Sequence, residues 1–280
     1  MSTPSIYVGS CAWRALEAFH VQCVQRLLQT PGIIYDMKVG DALVDRARSI
    51  LATRFLMESE ADVLVTIDSD ILFKPADVHL IAEQAREYDI VAGLYWTRSN
   101  SRCIPTSHFL PDHPITLGTT EPQPIKWAAS GFTAYRRGVF EELAKDLPLC
   151  HPDADWKFYP FYTPFPYDDD EAGLIYLSED WALAQRARAK GFGVYLNPSV
   201  QLQHLGVYPF SHETALQSDL PEGRITVTRR RGEGAVYHVA LEPDLFQNPE
   251  LSLVNRFPKG TLIPQNRSER RRMEREKAHA

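Results

Sequence analysis

The sequence predicts an α/β fold, a mostly parallel sheet with helices on both faces. Two observations predict it. Short apolar runs rich in Val, Ile and Leu alternate with stretches of helical periodicity along much of the 280-residue chain, and one of those runs ends directly in Asp68-Ser69-Asp70. Ligands of such sheets sit at the carboxyl ends of the strands. The composition agrees: 44% hydrophobic and 24% charged residues are the proportions of an ordinary water-soluble domain. No apolar run approaches the roughly 20 residues of a membrane helix, so no membrane segment is expected.

The elements follow in order. Residues 6–10 read as a buried strand, and 15–29 as a helix that ends before Pro31 and Gly32. Residues 33–38 read as a second strand. Residues 41–59 read as a helix, with Leu43, Ala47, Ile50, Leu51 and Phe55 at helical spacing. Residues 62–67 form the third strand, 74–87 a helix opened by Pro75, and 90–93 the start of the next strand. Residues 97–124 hold Pro105, Pro111, Pro114, Pro122 and Pro124, too many for a helix or a central strand, and read as a long functional loop. Residues 127–136 return as a strand and 138–145 as a helix. Residues 151–177 read as a second long loop. Ser178 reads as the cap of a helix running to Lys190, with Gly191 ending it. Residues 193–196 and 199–204 are strand-like, and 224–241 alternate around Arg231-Gly232-Glu233-Gly234 as a hairpin would.

This pattern divides the chain into a catalytic body over residues 1–210, an extension with the hairpin over 211–265, and a charged, flexible tail over 266–280. The net charge of −6 is uneven: residues 1–223 carry 18 Lys/Arg against 29 Asp/Glu, and residues 224–280 carry 12 against 7. An acidic body argues against whole-surface nucleic-acid binding and leaves a local basic contact open. The first ten residues lack the pattern of an export signal. Cys11, Cys23, Cys103 and Cys150 are scattered, which fits reduced thiols and a cytoplasmic location better than a disulfide framework or a zinc site.

Chemistry-bearing residues cluster in three places. Asp68 and Asp70, at i and i+2 on a strand end, can both reach one hard divalent cation, Mn2+ or Mg2+, which takes oxygen ligands and leaves positions open for phosphate. The plainer reading is a solvated turn, since Asp and Ser favour turns. An aspartyl-phosphate phosphatase also uses Asp-x-Asp, but Leu72 stands where it needs Thr or Val, and its motif belongs on the first strand. Glu179 and Asp180 fall in the first turn of a helix, where the dipole favours negative charge; either is also a candidate general base. His204 ends an alternating piece. A lone histidine is more often structural than a ligand, and gains value only in company.

Taken in order, Val63 to Asp70, then Trp127, Ser130-Gly131-Phe132, Arg136-Arg137 and Phe140, then Leu177 to Trp181 with Arg186 and Gly191-Phe192, then His204-Leu205-Gly206, resemble the landmarks of GT-A fold glycosyltransferases. Asp45 to Ser49 is similar to the Ala-Arg-Asn helix start that faces the donor in many members. The resemblance implies a Rossmann-like mixed sheet, a nucleotide-sugar donor and a divalent cation. It would have Asp70 and His204 bind the metal, with Asp68 on the metal or the donor's ribose. Asp36 would hold the nucleobase or ribose, Arg48 and Gly131 would sit at the donor, and Asp180 or Glu179 at the acceptor hydroxyl. Trp127 would lie on the acceptor side. The first strand ends in Gly9-Ser10-Cys11 without the usual Pro-x-Tyr-Asn, and Ser49 replaces Asn, so the nucleotide stays open.

Residues 156–167 crowd Trp156, Phe158, Tyr159, Phe161, Tyr162, Phe165 and Tyr167 beside Asp168-Asp169-Asp170-Glu171. Aromatic faces suit sugars and bases, making Trp156 and Tyr162 candidates for acceptor contact; equally, the segment can fold onto the body through those rings. The run of acids argues against a phosphate backbone there. Arginines at 229–231 and along 267–275 can hold phosphates, or form a solvated terminus. The chain also resembles small stand-alone bacteriophage glycosyltransferases, some of which modify bases in DNA, a resemblance that implies a glycan or a hydroxylated pyrimidine as the acceptor. The alternatives are a nucleotidyltransferase, whose Gly-rich basic loop is missing after the first strand, and a non-enzymatic DNA- or glycan-binding module using the basic tail. Both long loops are expected to order on donor binding.

Overall fold

A computed structural model describes residues 5–98, 104–151, 157–206, 211, 224–228 and 236–240. The chain forms the expected α/β architecture. Its central sheet has seven strands in the order β2-β1-β3-β8-β5-β11-β7. These are β1 (Ile6–Ala12), β2 (Ile33–Val39), β3 (Val63–Asp68), β5 (Ile90–Leu94), β7 (Gln123–Pro124), β8 (Phe132–Arg136) and β11 (Val194–Gln201). β2, β1 and β3 run parallel, as do β5 and β11, whereas β8 runs antiparallel between β3 and β5, and β7 pairs antiparallel on the far edge.

Strand alternation splits the core in two. Tyr7, Leu64, Ala92 and Tyr135 face α2 (Val44–Glu58), α4 (Arg137–Ala144) and α5 (Glu179–Ala189) through Phe55, Phe140 and Leu183. Val8, Val63, Val65 and Ala134 face α1 (Ala18–Leu27) and α3 (Pro75–Tyr88) through Val24, Leu27, Ile81 and Ala85. A period of two in every strand forces this, because adjacent side chains must leave on opposite faces. Arg137 joins the layers: its guanidinium donates to the carbonyls of Phe55, Leu56, Ser59 and Ala61, satisfying the end of α2 that no following turn can reach.

The segments read as loops are the main differences. Within 97–124, Phe109, Ile115 and Leu117 are buried, and the segment carries β6 (Ile115–Thr116) as well as β7. Its prolines prevent long strands, while its apolar residues still enter the core. Residues 165–177 form a hairpin, β9 (Phe165–Asp169) and β10 (Gly173–Leu177), turned at Gly173 with φ +73°. Two further short strands, β4 (Ile71–Leu72) and β12 (Gln203–His204), pair antiparallel, a contact invisible to local pattern because 130-odd residues separate them. The late hairpin is present as β13 (Arg224–Thr228) and β14 (Val236–Ala240), and β13 docks on β6. The arginines at 229–231 and 267–275 lie outside the described residues. Among the described residues, no helix is long and apolar enough to cross a membrane.

Candidate functional site

The carboxyl ends of β1, β3 and β5 open on one edge of the sheet, and residues far apart in sequence meet there. Asp68 is the last residue of β3, on the same face as Leu64 and therefore towards α2 and α5. Arg48, in the second turn of α2, meets it. One Arg48 nitrogen, Nη2, donates to both Asp68 oxygens at 2.7 and 2.9 Å, and Nη1 donates to Glu179 Oε1 at 2.7 Å. Arg48 is only 6% exposed. Burial alone would favour its neutral form, but Asp68, Asp180 and Glu179 hold it firmly charged. Burial first, and Asp180 second, push the Glu179 carboxyl above its usual range, while Arg48 pulls the other way.

Ser178 stands at the cap position of α5, yet its hydroxyl caps no backbone N–H; it donates to Asp180 Oδ1, which also accepts from the N–H of Trp181 at 2.8 Å. Asp180 is thus held by its own helix start rather than by Arg48.

Asp70 lies past the turn and belongs to a second group. The β4–β12 ribbon sets His204 opposite Ile71, and Asp70 O accepts from Leu205 N at 2.7 Å. His204 Nε2 then stands 3.4 Å from Asp70 Oδ2. His204 Nδ1 lies 2.9 Å from the carbonyl of Trp96. A carbonyl only accepts, so Nδ1 carries a proton, and Nε2 is the ring atom turned to the carboxylate. Metal-bound histidines are oriented by the same kind of second contact. Burial opposes ionisation of Asp70, but His204 and Arg98 outweigh it and keep its carboxyl below the usual range. Arg98 Nη1 donates to Asp70 Oδ2 at 2.9 Å.

The expected metal set of Asp68, Asp70 and His204 is therefore divided. Asp70 and His204 are together, and Asp68 is committed to Arg48. Among the described residues, no three His, Cys, Asp or Glu side chains are grouped closely enough to hold one cation between them. The pair that does converge, one carboxylate and one imidazole nitrogen, suits a divalent cation whose remaining positions go to other oxygens.

Gly131 enters the site through its backbone. Its carbonyl accepts from Asp68 N and its N–H donates to Tyr95 Oη, both at 2.9 Å. A Cβ there would stand 2.3 Å from Tyr95 Oη and 3.0 Å from Asp68 Oδ2, so only glycine permits the approach. Tyr95 in turn lies edge-on to His204, with ring centroids 5.4 Å apart. Tyr95 and Arg98 went unremarked in the sequence; their position just past an apolar strand that ends at the same edge is the signal that marks them.

Asp36 lies within β2 rather than at its end, because the strand continues three residues further. Its Oδ2 accepts from Tyr7 Oη at 2.5 Å and from Arg54 Nη1 at 3.1 Å. It lines an open cleft of about 870 Å3 along α2, with Tyr35, Met57 and Lys157. The structure does not join Asp36 to the Asp68 or Asp70 groups by any described contact.

Two aromatic candidates are corrected. Trp127 is fully buried: it packs against both His108 and Trp181, which also touch each other, and its indole N–H donates to Gln185 Oε1 at 2.8 Å. Tyr162 is fully buried too, anchored by its own N–H to Ser49 Oγ at 3.2 Å. Neither presents a face to an acceptor: Trp127 is enclosed by His108, Trp181 and Tyr167, and the segment that carries Tyr162 is folded onto α2. Trp156 lies outside the described residues.

No protein-family model matches the sequence, and neither does any curated protein. Similar chain paths occur among solved structures. One is A197 from STIV, 15% identical, covering 72% of this chain and 85% of that one with a TM-score of 0.44. Another is GalNAc-T7, crystallised with UDP, GalNAc and Mn2+, at 13% identity, 74% and 45% coverage, and a TM-score of 0.45. A third is residues 1–349 of S. aureus TarS, at 12% identity, 68% and 57% coverage, and a TM-score of 0.39. This chain spans about half the length of the latter two.

Proposed function

We propose that this chain is a metal-dependent glycosyltransferase that moves a sugar from a UDP- or GDP-linked donor to a hydroxyl acceptor. The observation that carries the reading is convergence. Arg48, Asp68, Asp70, Gly131, Glu179, Asp180 and His204, the residues singled out by the sequence resemblance, lie along one strand-end edge despite their separation in the chain. There the carboxylates of Asp68, Asp70, Glu179 and Asp180 outnumber the guanidiniums of Arg48 and Arg98. Such an edge favours cations and neutral, hydroxyl-rich molecules over bare anions.

In this reading Asp70 and His204 Nε2 hold Mn2+ or Mg2+, with Arg98 giving up its place on Asp70. The cation supplies charge stabilisation for the diphosphate leaving group. Arg48 keeps Asp68 and Glu179 in fixed positions beside the donor. Asp180 takes the proton of the acceptor hydroxyl: its Oδ1 is held by Ser178 and Trp181, leaving Oδ2 for that transfer. The acceptor is a glycan or a hydroxylated pyrimidine base of the kind some bacteriophages carry; the acidic edge favours the glycan.

A thermal-shift screen of UDP, GDP, CDP and ADP, each with and without Mn2+, tests the proposal. At a hundredfold excess over Kd, binding stabilises by about 2.7 kcal/mol, a shift of several degrees. A Mn2+-dependent rise with one nucleotide, lost in Asp70→Ala, is the expected result. Absence of any shift would sink the reading, and binding of DNA or glycan that survives Asp70→Ala would favour an adaptor without catalytic activity.

A further inference from the structure

Arg98 occupies the place where the proposed reaction needs a cation, and it is loosely held there. Its Nη1 donates to Asp70 Oδ2 at 2.9 Å and to the Leu205 carbonyl at 3.3 Å. Oδ2 is also the oxygen facing His204 Nε2. A divalent ion shared by Asp70 and His204 would therefore lie beside the Arg98 guanidinium, and the two positive charges would repel at short range. The Arg98 side chain is 51% exposed, against 6% for Arg48, so its ion pair is of the weak, replaceable kind. Its backbone neighbourhood is fixed: Thr97 N donates to Ile104 O at 2.9 Å, and Trp96 bridges to Pro105. The side chain can swing while its base stays.

We infer that Arg98 is a placeholder for the cation that becomes a diphosphate clamp. On donor binding its guanidinium leaves Asp70 to the metal and moves onto the donor's diphosphate, which screens the two cations from each other. A guanidinium suits this exchange, since its planar fork matches phosphate oxygens and only one of its nitrogens is engaged now. The inference rests on the glycosyltransferase reading, and it makes two predictions of opposite sign.

Calorimetric titration of wild type, Arg98→Ala and Arg98→Lys separates them. With Mn2+ alone, Arg98→Ala should bind the ion several-fold more tightly than wild type, because the competing cation is gone. With Mn2+ saturating, Arg98→Ala should bind the preferred nucleoside diphosphate about ten- to a hundredfold more weakly, and the corresponding nucleoside equally well. Arg98→Lys should fall between, keeping the charge without the fork. Weaker Mn2+ binding in Arg98→Ala, or equal losses for nucleoside and diphosphate, would overturn the clamp while leaving the glycosyltransferase reading intact. Failure of wild type itself to bind any nucleotide with Mn2+ would remove both.

Discussion

Replacing Arg48 by Met, which keeps most of the volume and removes the charge, tests the centre of the site. Arg48 is 6% exposed and bridges Asp68 and Glu179, whose side chains are 30% and 21% exposed. Its loss leaves both carboxylates, with Asp180 close by, facing one another without a counter-charge. Breaking a buried ion pair by removing one partner costs about 3–5 kcal/mol. Since both carboxylates keep some water, the lower end applies, about 3 kcal/mol. For a body of this size that is a fall in Tm of about 6–12 °C. The pH dependence has a definite sign. The Glu179 carboxyl already sits above its usual range and rises further without Arg48. A raised carboxyl pKa favours the fold below the unfolded value of 4.5 and loses that contribution as pH rises through the folded value. The deficit of Arg48→Met should therefore shrink towards acid. Circular-dichroism melts across that range check this, with the triple variant Arg48→Met, Asp68→Asn, Glu179→Gln as the partner experiment. A single variant that melts within about 2 °C of wild type at neutral pH would refute the reasoning, as would a triple variant no more stable than the single one.

Other perturbations read separate parts of the structure. Gly131→Ala places a Cβ 2.3 Å from Tyr95 Oη, so it should cost about 1–3 kcal/mol by chemical denaturation and weaken Mn2+-dependent nucleotide binding together. Trp127→Ala should destabilise by about 3–5 kcal/mol, since the ring is wholly core; a native-like melt with impaired acceptor use alone would restore its role as an acceptor contact. Asp169 is buried against Lys126 at 2.6 Å, and although burial opposes its ionisation, Lys126 and the Ala172 and Glu171 N–H groups keep its carboxyl below 3.8. Its contribution is present above pH 3.8 and lost as pH falls through the lower folded value, so Asp169→Asn should flatten the acid side of the stability curve, measured by urea titration at several pH values.

Local pattern and sequence order together account for much of this molecule. The period-two strands and period-3.6 helices of residues 6–94 are each half of a two-sided layer, and burying both faces leaves few alternatives to an open α/β sheet. The strand that runs into Asp68-Ser69-Asp70 ends at the carboxyl edge of the sheet, so the place of both aspartates at that edge was legible. What each one does was not. Asp68 keeps the pleat of β3 and is delivered to Arg48 on α2, whereas Asp70 lies past the turn and meets His204 only because β4 and β12 pair across the chain. Arg98 had no motif to announce it, and Trp127 had a misleading one, because its packing with His108 and Trp181 is a contact among three distant segments. Proline-rich composition likewise hid the buried Phe109, Ile115 and Leu117, which lack any periodicity. The sequence by itself determined the layers and the edge where chemistry can occur, since those follow from side-chain direction along a strand or helix. Only the tertiary structure decided which carboxylate is clamped by a buried arginine and which is left facing a histidine ring, since partner choice depends on long-range pairing that no local period encodes.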